Sequence, residues 1–413
     1  MASLPLDGAW WPTDLAGIPR LLAYVQTLGL ERYLFRRKRG IPSLVLVLVW
    51  LVLAWRGTGR PQHAPMLEVP FLAALLGRAR LPSTTTLYRS LRYFSAHAVR
   101  GAVEVAYLAE LPHRTGRVWV ALDSHQAPYW GRGQLERFQK GWSGTHSRRL
   151  RGYRVYLAVD TSTGQVITFL LVRGRTRDQR IGALLARRLR QLLGPKLAGI
   201  VADCGFTSHA SLAALLTTGV PLILGFARSR PIRARLAALG PQQLRWLKQG
   251  GAVRLGVCSW DERLSLFALG ARSPTDRRGP WVYVTSLRSA GPQFLAHTYR
   301  QRWRVEQAIE ELLNGHDLDH LVGYRLHPNQ VAVGFRLLAR NLALGCQIAE
   351  HGARPVHLLE PRAFRAAQVD GLGTFSVERH TIHLRPLHAR STQRFRLPWT
   401  RRAGLGRPGG RRA

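Results

Sequence analysis

Val118-Trp119-Val120-Ala121-Leu122-Asp123-Ser124 is where the pattern of this 413-residue chain turns from helices to strands. The run is apolar, has strand length and ends on a carboxylate. Residues 153–159 and 166–172 read as two more strands. A helical stretch over 179–193 leads to a strand at 197–202, which again ends on an acid, in Ala202-Asp203-Cys204-Gly205-Phe206. A helix over 208–217 and a strand over 220–225 follow. Three strands and then alternating helix and strand predict an α/β fold, a mixed sheet with helices on both faces. An Asp at the carboxyl end of a buried strand points into the crevice where open α/β sheets place their chemistry.

Downstream, residues 226–280 are rich in Gly, Pro and Arg, with short strands expected at 252–259 and 263–269. They read as a β-rich insertion. Trp281-Val282-Tyr283-Val284-Thr285 resumes as a strand, a long helix is expected over 292–313, and another over 329–350 carries Arg336 and Arg340. The first of these helices contains Tyr299-Arg300-Gln301-Arg302-Trp303-Arg304-Val305-Glu306. On a continuous helix Tyr299, Arg302 and Glu306 fall within about 60° of one another. Val305, Ala308, Ile309 and Leu312 form an apolar stripe that anchors the helix.

Glu306 can thus meet Asp123 and Asp203. Three clustered acids repel unless cations neutralise them, so the group implies bound divalent metal. Two Mg2+ ions held this way activate a water or a 3′-hydroxyl and stabilise the leaving oxygen of an in-line displacement. Two rivals stand beside this trio. Asp160 also ends a strand, but Thr161-Ser162-Thr163-Gly164 after it reads as a hairpin turn. Glu310 shares the face of Glu306 one turn on, and Glu306 could simply pair with Arg302.

The balance of 61 Lys+Arg against 23 Asp+Glu gives a formal charge of +38. A polyanion, most commonly nucleic acid, is the partner this implies. Lysine is scarce (Lys38, Lys140, Lys196 and Lys248), so a GC-rich coding bias contributes to the arginine count, but the charge is physical either way. Arg148, Arg149, Arg151 and Arg154 read as a phosphate-binding edge, with a solvated charge run as the alternative. Cys204, Cys258 and Cys346 show no metal-ligand spacing and fit a reducing compartment. Residues 1–20 lack the order of a signal peptide. Residues 41–55 are almost wholly apolar but shorter than the roughly 20 a membrane span needs, so a buried core helix and no membrane are expected.

Three regions follow. Residues 1–112 form a helical N-terminal domain expected to contact DNA, in which Ser83-Thr84-Thr85-Thr86 starts a helix of helix-turn-helix character. Residues 113–350 form the α/β domain. Residues 351–413 are a C-terminal extension whose end, from His388, holds eight arginines and no acid and reads as an unfolded basic tail.

Strand–Asp123, Ala-Asp203-x-Gly-Phe, Trp281-x-Tyr-Val-Thr285 and Tyr299-x2-Arg302-Trp303-x2-Glu306, in that order, resemble the DDE transposases of bacterial insertion sequences. The likeness is to the branch whose helix carries Tyr-x2-Arg-x3-Glu-x6-Lys, and it covers about residues 117–345. It implies a ribonuclease-H-like core, with Asp123, Asp203 and Glu306 as catalytic metal ligands for two Mg2+ ions (Mn2+ able to substitute). It also implies cleavage of double-stranded DNA at the ends of a mobile element and strand transfer of the 3′-hydroxyl into target DNA. Tyr299 and Arg302 would contact phosphates of the terminal nucleotides, with Arg304 beside them. Trp246 and Trp260 would be free to stack on a flipped base, core packing being the plainer role. His125 and His146 read as ordinary surface histidines. At least a homodimer would synapse two ends, on the nucleoid in the cytoplasm. The family's lysine falls on Leu313, so Arg300, Arg304 or Arg325 substitutes or end binding is weakened. The alternatives are a catalytically inactive or domesticated DNA-binding protein, and a Mg2+ nuclease that cuts without joining.

Overall fold

The computed structural model describes residues 10–30, 41–57, 60–67, 70–76, 78, 80–114, 116–132, 140–143, 147–176, 178–259, 261–270, 280–351, 358–370, 372–378, 381–387 and 393–396. A short strand β1 (Trp11–Thr13) precedes five helices: α1 (Ile18–Thr27), α2 (Ser43–Trp55), α3 (Pro70–Leu75), α4 (Thr84–Ser90) and α5 (Ala96–Leu108). The α/β part then runs β2 (Val118–Pro128), β3 (Lys140–Ser143), β4 (Arg148–Asp160), β5 (Val166–Arg173), α6 (Asp178–Leu193), β6 (Leu197–Ala202), α7 (His209–Leu216) and β7 (Leu222–Phe226). It continues through α8 (Arg230–Ala237), α9 (Pro241–Lys248), β8 (Ala252–Cys258), β9 (Asp261–Leu269), β10 (Trp281–Thr285), α10 (Pro292–Arg300), α11 (Trp303–His316) and α12 (Leu326–His351). The C-terminal part holds α13 (Pro361–Gln368), β11 (Gly373–Glu378), β12 (Thr381–Pro386) and β13 (Gln393–Arg396).

Among the described residues nine strands join in one mixed sheet, in the order β3-β4-β2-β6-β7-β10-β9-β8, with β5 also paired to β4. Strands β2, β6 and β7 are parallel, and the pairings outward from them are antiparallel. Alternation along each strand splits the core into two layers. On β6, Val201 joins the layer under α11 and α12, while Ile200 and Ala202 join the layer under α6 and α7. The expected α/β class and mixed sheet are therefore present. The region expected to be a β-rich insertion differs in two ways. It opens with two helices, each with Pro in its first turn, and its hairpin β8–β9 extends the central sheet through β10 rather than standing apart.

The N-terminal helices share their core with the rest of the chain. Residues 45–55 of α2 are buried all round. Trp50 lies 6.1 Å from Phe335, and Trp55 Nε1 donates to the Ala339 carbonyl at 2.8 Å, both on α12. The core helix expected at 41–55 is what forms. Helix α12 is long and apolar enough to cross a membrane, but its apolar stretch is entirely buried inside the protein. Its buried Asn341 and Arg340 are held by hydrogen bonds, as buried polar groups generally are. Asn341 brackets Val166, accepting from its N–H at 2.9 Å and donating to its carbonyl at 2.6 Å. Arg340 binds Glu311 and the Gly164 carbonyl. The serine–threonine run starts α4 as expected, with Ser83 Oγ accepting from Thr86 N–H at 3.3 Å. Strand β1 pairs with β11 in a second sheet, β1-β11-β12-β13, which ties the two ends of the described chain together. Of the segment expected as a basic tail, residues 393–396 are strand β13 and the stretches 388–392 and 397–413 lie outside the described residues.

Candidate active site

Asp123 and Asp203 are brought together by strand register. Leu122 of β2 pairs with Ala202 of β6, so the next residue of each strand stands beside the other. Both continue the face of Ala121 and Val201, the layer under α11. Asp123 does not end its strand as expected, because β2 runs on to Pro128 alongside an equally extended β4. Asp203 does end β6 and caps the short 3-10 turn Cys204–Phe206, its Oδ1 accepting from Gly205 N–H at 2.9 Å.

The expected single helix over 292–313 is two. Helix α10 stops at Arg300 and α11 starts at Trp303. The junction is wound by three-residue hydrogen bonds, Arg302 N–H to the Tyr299 carbonyl at 2.9 Å and Val305 N–H to the Arg302 carbonyl at 3.0 Å. Such a turn advances about three residues per revolution, so Tyr299 and Arg302 still face the same way. Tyr299 leans on Tyr283 of β10, ring centroids 4.0 Å apart. A Cβ at Gly225 would lie 3.1 Å from the Tyr299 hydroxyl, so the bare glycine on β7 lets the ring approach.

Arg302 joins the two halves of the site. Its Nη2 bonds Glu306 in the first turn of α11, and its Nη1 lies 3.7 Å from Asp123 Oδ2. Its Nε is buried and has no acceptor within the protein. Burial works against this guanidinium, but Tyr299, Glu306 and Asp123 outweigh it and hold the charge. Burial pushes the Asp123 carboxyl up to about 7, and the charges of Asp203 and Glu306 push the same way against Ser124 N–H and Arg302. Burial also raises Asp203, opposed by its Gly205 hydrogen bond and supported by Asp178 and Glu306. Burial holds the Tyr299 phenol up to about 12.

Asp178, at the start of α6, is a fourth acid at the site and went unseen in the sequence. Its Oδ1 accepts from Tyr156 hydroxyl at 2.7 Å, Arg154 Nη1 at 3.1 Å and Ser124 Oγ at 3.2 Å. Its Oδ2 shares a cradle with Asp203: a Cβ at Gly205 would stand 2.6 Å from Asp178 Oδ2 and 3.0 Å from Asp203 Oδ1. Carboxylate oxygens converging on a space that one methyl would fill are a hard, oxygen-only donor set of the kind Mg2+ prefers. In this conformation Arg302 holds Glu306, and among the described residues no group of three His, Cys, Asp or Glu is gathered tightly enough to enclose an ion. Gly205→Ala tests the cradle. The backbone there tolerates alanine, so the fold should persist while the Mg2+ concentration needed to stabilise it rises about tenfold or more as the carboxylates are displaced. An unchanged Mg2+ response in a folded Gly205→Ala protein would remove the cradle from the site.

The other expected residues scatter. Asp160 is buried against Arg114 and the Tyr107 hydroxyl, with its Oδ1 accepting from Ser162 N–H at 2.7 Å, and so fixes the β4–β5 turn. Glu310 lines a groove with Gln307, Glu311, Asn314 and Glu360. Arg148 and Arg149 are exposed and Arg151 is half-buried on β4, whereas Arg154 is occupied by Asp178 and the Trp142 carbonyl. Arg304 lies 4.6 Å over the Trp303 ring and donates to Gln307. Trp246 is exposed on α9, and His125 is buried in a 2.5 Å contact with Asp319. Trp260 and His146 lie outside the described residues. Leu313 packs against the core.

The family described as transposase DDE domain matches residues 115–342. A cryo-EM structure of a piggyBac transposase synaptic complex with hairpin DNA is similar over 85% of this chain and 76% of that one, at 14% identity and a TM-score of 0.42. No curated protein matches.

Proposed function

This chain belongs to the family of transposases with a DDE domain, and on that premise we propose that it cuts the ends of an insertion sequence and joins the freed 3′-hydroxyl to target DNA. The supporting observation is the register that sets Asp123 beside Asp203 with Arg302 reaching from Asp123 to Glu306. Asp123, Asp203 and Glu306 would hold the two Mg2+ ions, on a ribonuclease-H-like arrangement of the central sheet. When bound, the ions supply a nucleophile at neutral pH and neutralise the leaving oxygen.

The chain's own groups do the positioning. Arg302, with an Nε–H to spare, and Tyr299 hold the phosphates of the end. Glu306 completes the acid trio once Arg302 turns to that phosphate. Asp178 keeps Ser124, Tyr156 and Arg154 in place behind the aspartates. The positive surface, Arg148 and Arg149 included, gathers duplex DNA. Residues 1–112 and the basic end of the chain add contacts along it, and a homodimer pairs two ends on the nucleoid.

The test is a cleavage and strand-transfer assay on duplexes carrying the inverted repeats that flank the gene. Asp123→Ala, Asp203→Ala and Glu306→Ala should each lower cleavage about a thousandfold, and Glu310→Gln should leave it near the parent's rate. Parent-like cutting by all three alanine variants would show the site to be elsewhere. Loss of cutting in Glu310→Gln with Glu306→Gln still active would reassign the third acid. A second reading, an inactive DNA-binding protein on this fold, is favoured by one observation: Leu313, half-buried against the core, stands where the resemblance calls for lysine. DNA ends bound but never cut by the parent would establish that reading.

A further inference from the structure

We propose that the outer face of β3 and β4 is a track for an unpaired DNA strand, on which bases stack against Trp142 and Tyr324. The proposal rests on the reading that the chain works on DNA ends, and adds the form of the partner. In the β3–β4 pair Trp142 stands opposite Arg149 and Lys140 opposite Arg151. Directly opposed residues share a face, so these four side chains lie together. The other side of β3 is closed, since a Cβ at Gly141 would meet the Gln126 side chain and the Gly174 carbonyl at 2.3 Å. Arg154 pins the strand from below by donating to the Trp142 carbonyl at 3.0 Å. Trp142 is 56% exposed on a braced strand.

The same side of β4 runs on toward the aspartates, exposed at Arg149, half-buried at Arg151 and buried from Tyr153 to Leu157. Residues 149, 151, 153, 155 and 157 alternate onto one side of β4, and Asp123 is paired with Leu157. Tyr153 on that side donates its hydroxyl to the Tyr324 carbonyl at 2.7 Å. That bond anchors the main chain of residue 324 beside β4; Tyr324 is 45% exposed, with the Arg325 guanidinium 5.6 Å over its ring. At about 3.3 Å per residue, Arg151 lies about 20 Å along the strand from Asp123.

The face and the segment anchored beside it therefore present two exposed aromatic residues, Trp142 with Lys140, Arg149 and Arg151, and Tyr324 with Arg325, and residues 140–143 and 148–152 contain no acid. The cations call for a polyanion. The rings decide its form, because a duplex keeps its base faces stacked inside, whereas an unpaired strand offers them to aromatic side chains. Cutting and joining at an end leaves such strands within this reach.

The experiment measures, in chelator and with the full chain, fluorescence anisotropy of a short labelled oligothymidylate and of a duplex of equal length. Trp142→Ala and Tyr324→Ala should each weaken single-strand binding about tenfold and change duplex binding by less than about twofold, and Trp142→Phe should recover most of the loss. Parent-like single-strand affinity in both alanine variants overturns the track. So does equal loss for duplex and single strand, which would make the face a plain phosphate edge, or a Trp142→Phe protein no better than Trp142→Ala. A parent that cuts ends but does not hold the single strand refutes the track and leaves the transposase reading intact. Ring-dependent single-strand binding in a parent that never cuts does the reverse.

Discussion

Asp123→Asn is expected to make the folded chain more stable at neutral and alkaline pH while stopping DNA cleavage. Burial first, then the charge of Asp203, lifts the Asp123 carboxyl from its ordinary 3.8 up to about 7. The folded state thus holds this proton more tightly than the unfolded chain does. The stability it brings is fully present below about pH 4 and is lost as pH rises through about 7. Above that the fold carries a buried, repelled carboxylate that costs about 4 kcal/mol at most. Asparagine keeps an oxygen for the Ser124 N–H, 2.7 Å from Asp123 Oδ1, and carries no charge. Urea midpoints taken in chelator should therefore diverge between parent and variant from about pH 4 to about pH 7, the variant gaining. Mg2+ should narrow the gap by stabilising the parent, since a ligand that binds only the folded state adds to its stability. A gap that stays constant with pH would mean that the site does not strain the fold, and a gap that Mg2+ leaves untouched would mean that Asp123 is not part of an ion site.

What could be read from the sequence was what is local. Val118–Leu122 and Leu197–Ala202 announce themselves as buried strands by unbroken apolar runs, and an acid after each is visible without any register. The register that makes Asp123 and Asp203 neighbours is a long-range property, set when β6 docks parallel to β2. Asp178 was missed for the same reason. Its partners Ser124, Tyr156 and Arg154 come from two strands, and nothing near Asp178 in the chain marks it as more than an acid opening a helix. The break between α10 and α11 left no signal either, because the junction residues Gln301 and Arg302 are good helix formers, and the contact of Tyr299 with Tyr283 beside the break is a tertiary one. The two helices before β8 did leave one: Pro231 and Pro241 sit in their first turns, where proline is favoured. The pairing of β1 with β11 joins residues more than 350 apart in the chain (Trp11 with Phe375) and could not have been inferred from either alone.

Arg302→Leu is expected to shift the acidic limb of the cleavage profile to higher pH and to lower the maximal rate about a hundredfold, two effects with separate causes. The guanidinium lowers both Asp123 and Asp203 against the burial that raises them. Without it both carboxyls rise further, so a more alkaline solution is needed before they ionise and act as ligands. The rate at the optimum falls because leucine cannot hold the phosphate that the free Nε and the forked Nη groups would engage. Arg302→Lys separates the two. An ammonium restores the charge beside Asp123 and should return the limb toward the parent's position, but it lacks the planar fork and should not restore the maximal rate. Single-turnover cleavage at saturating DNA, followed across the pH range for the parent and both variants, reads each effect by itself. A limb that stays at the parent's pH in Arg302→Leu would exclude Arg302 from setting the ionisation of the aspartates. A lysine variant as fast as the parent would reduce its part to charge alone. Because Arg302 also bonds Glu306, both variants should in addition free that glutamate. At a pH above the shifted limb, where the aspartates are ionised, the concentration of Mg2+ needed to stabilise the fold should then fall in Arg302→Leu even as cleavage declines, a combination that loss of phosphate contact by itself does not produce.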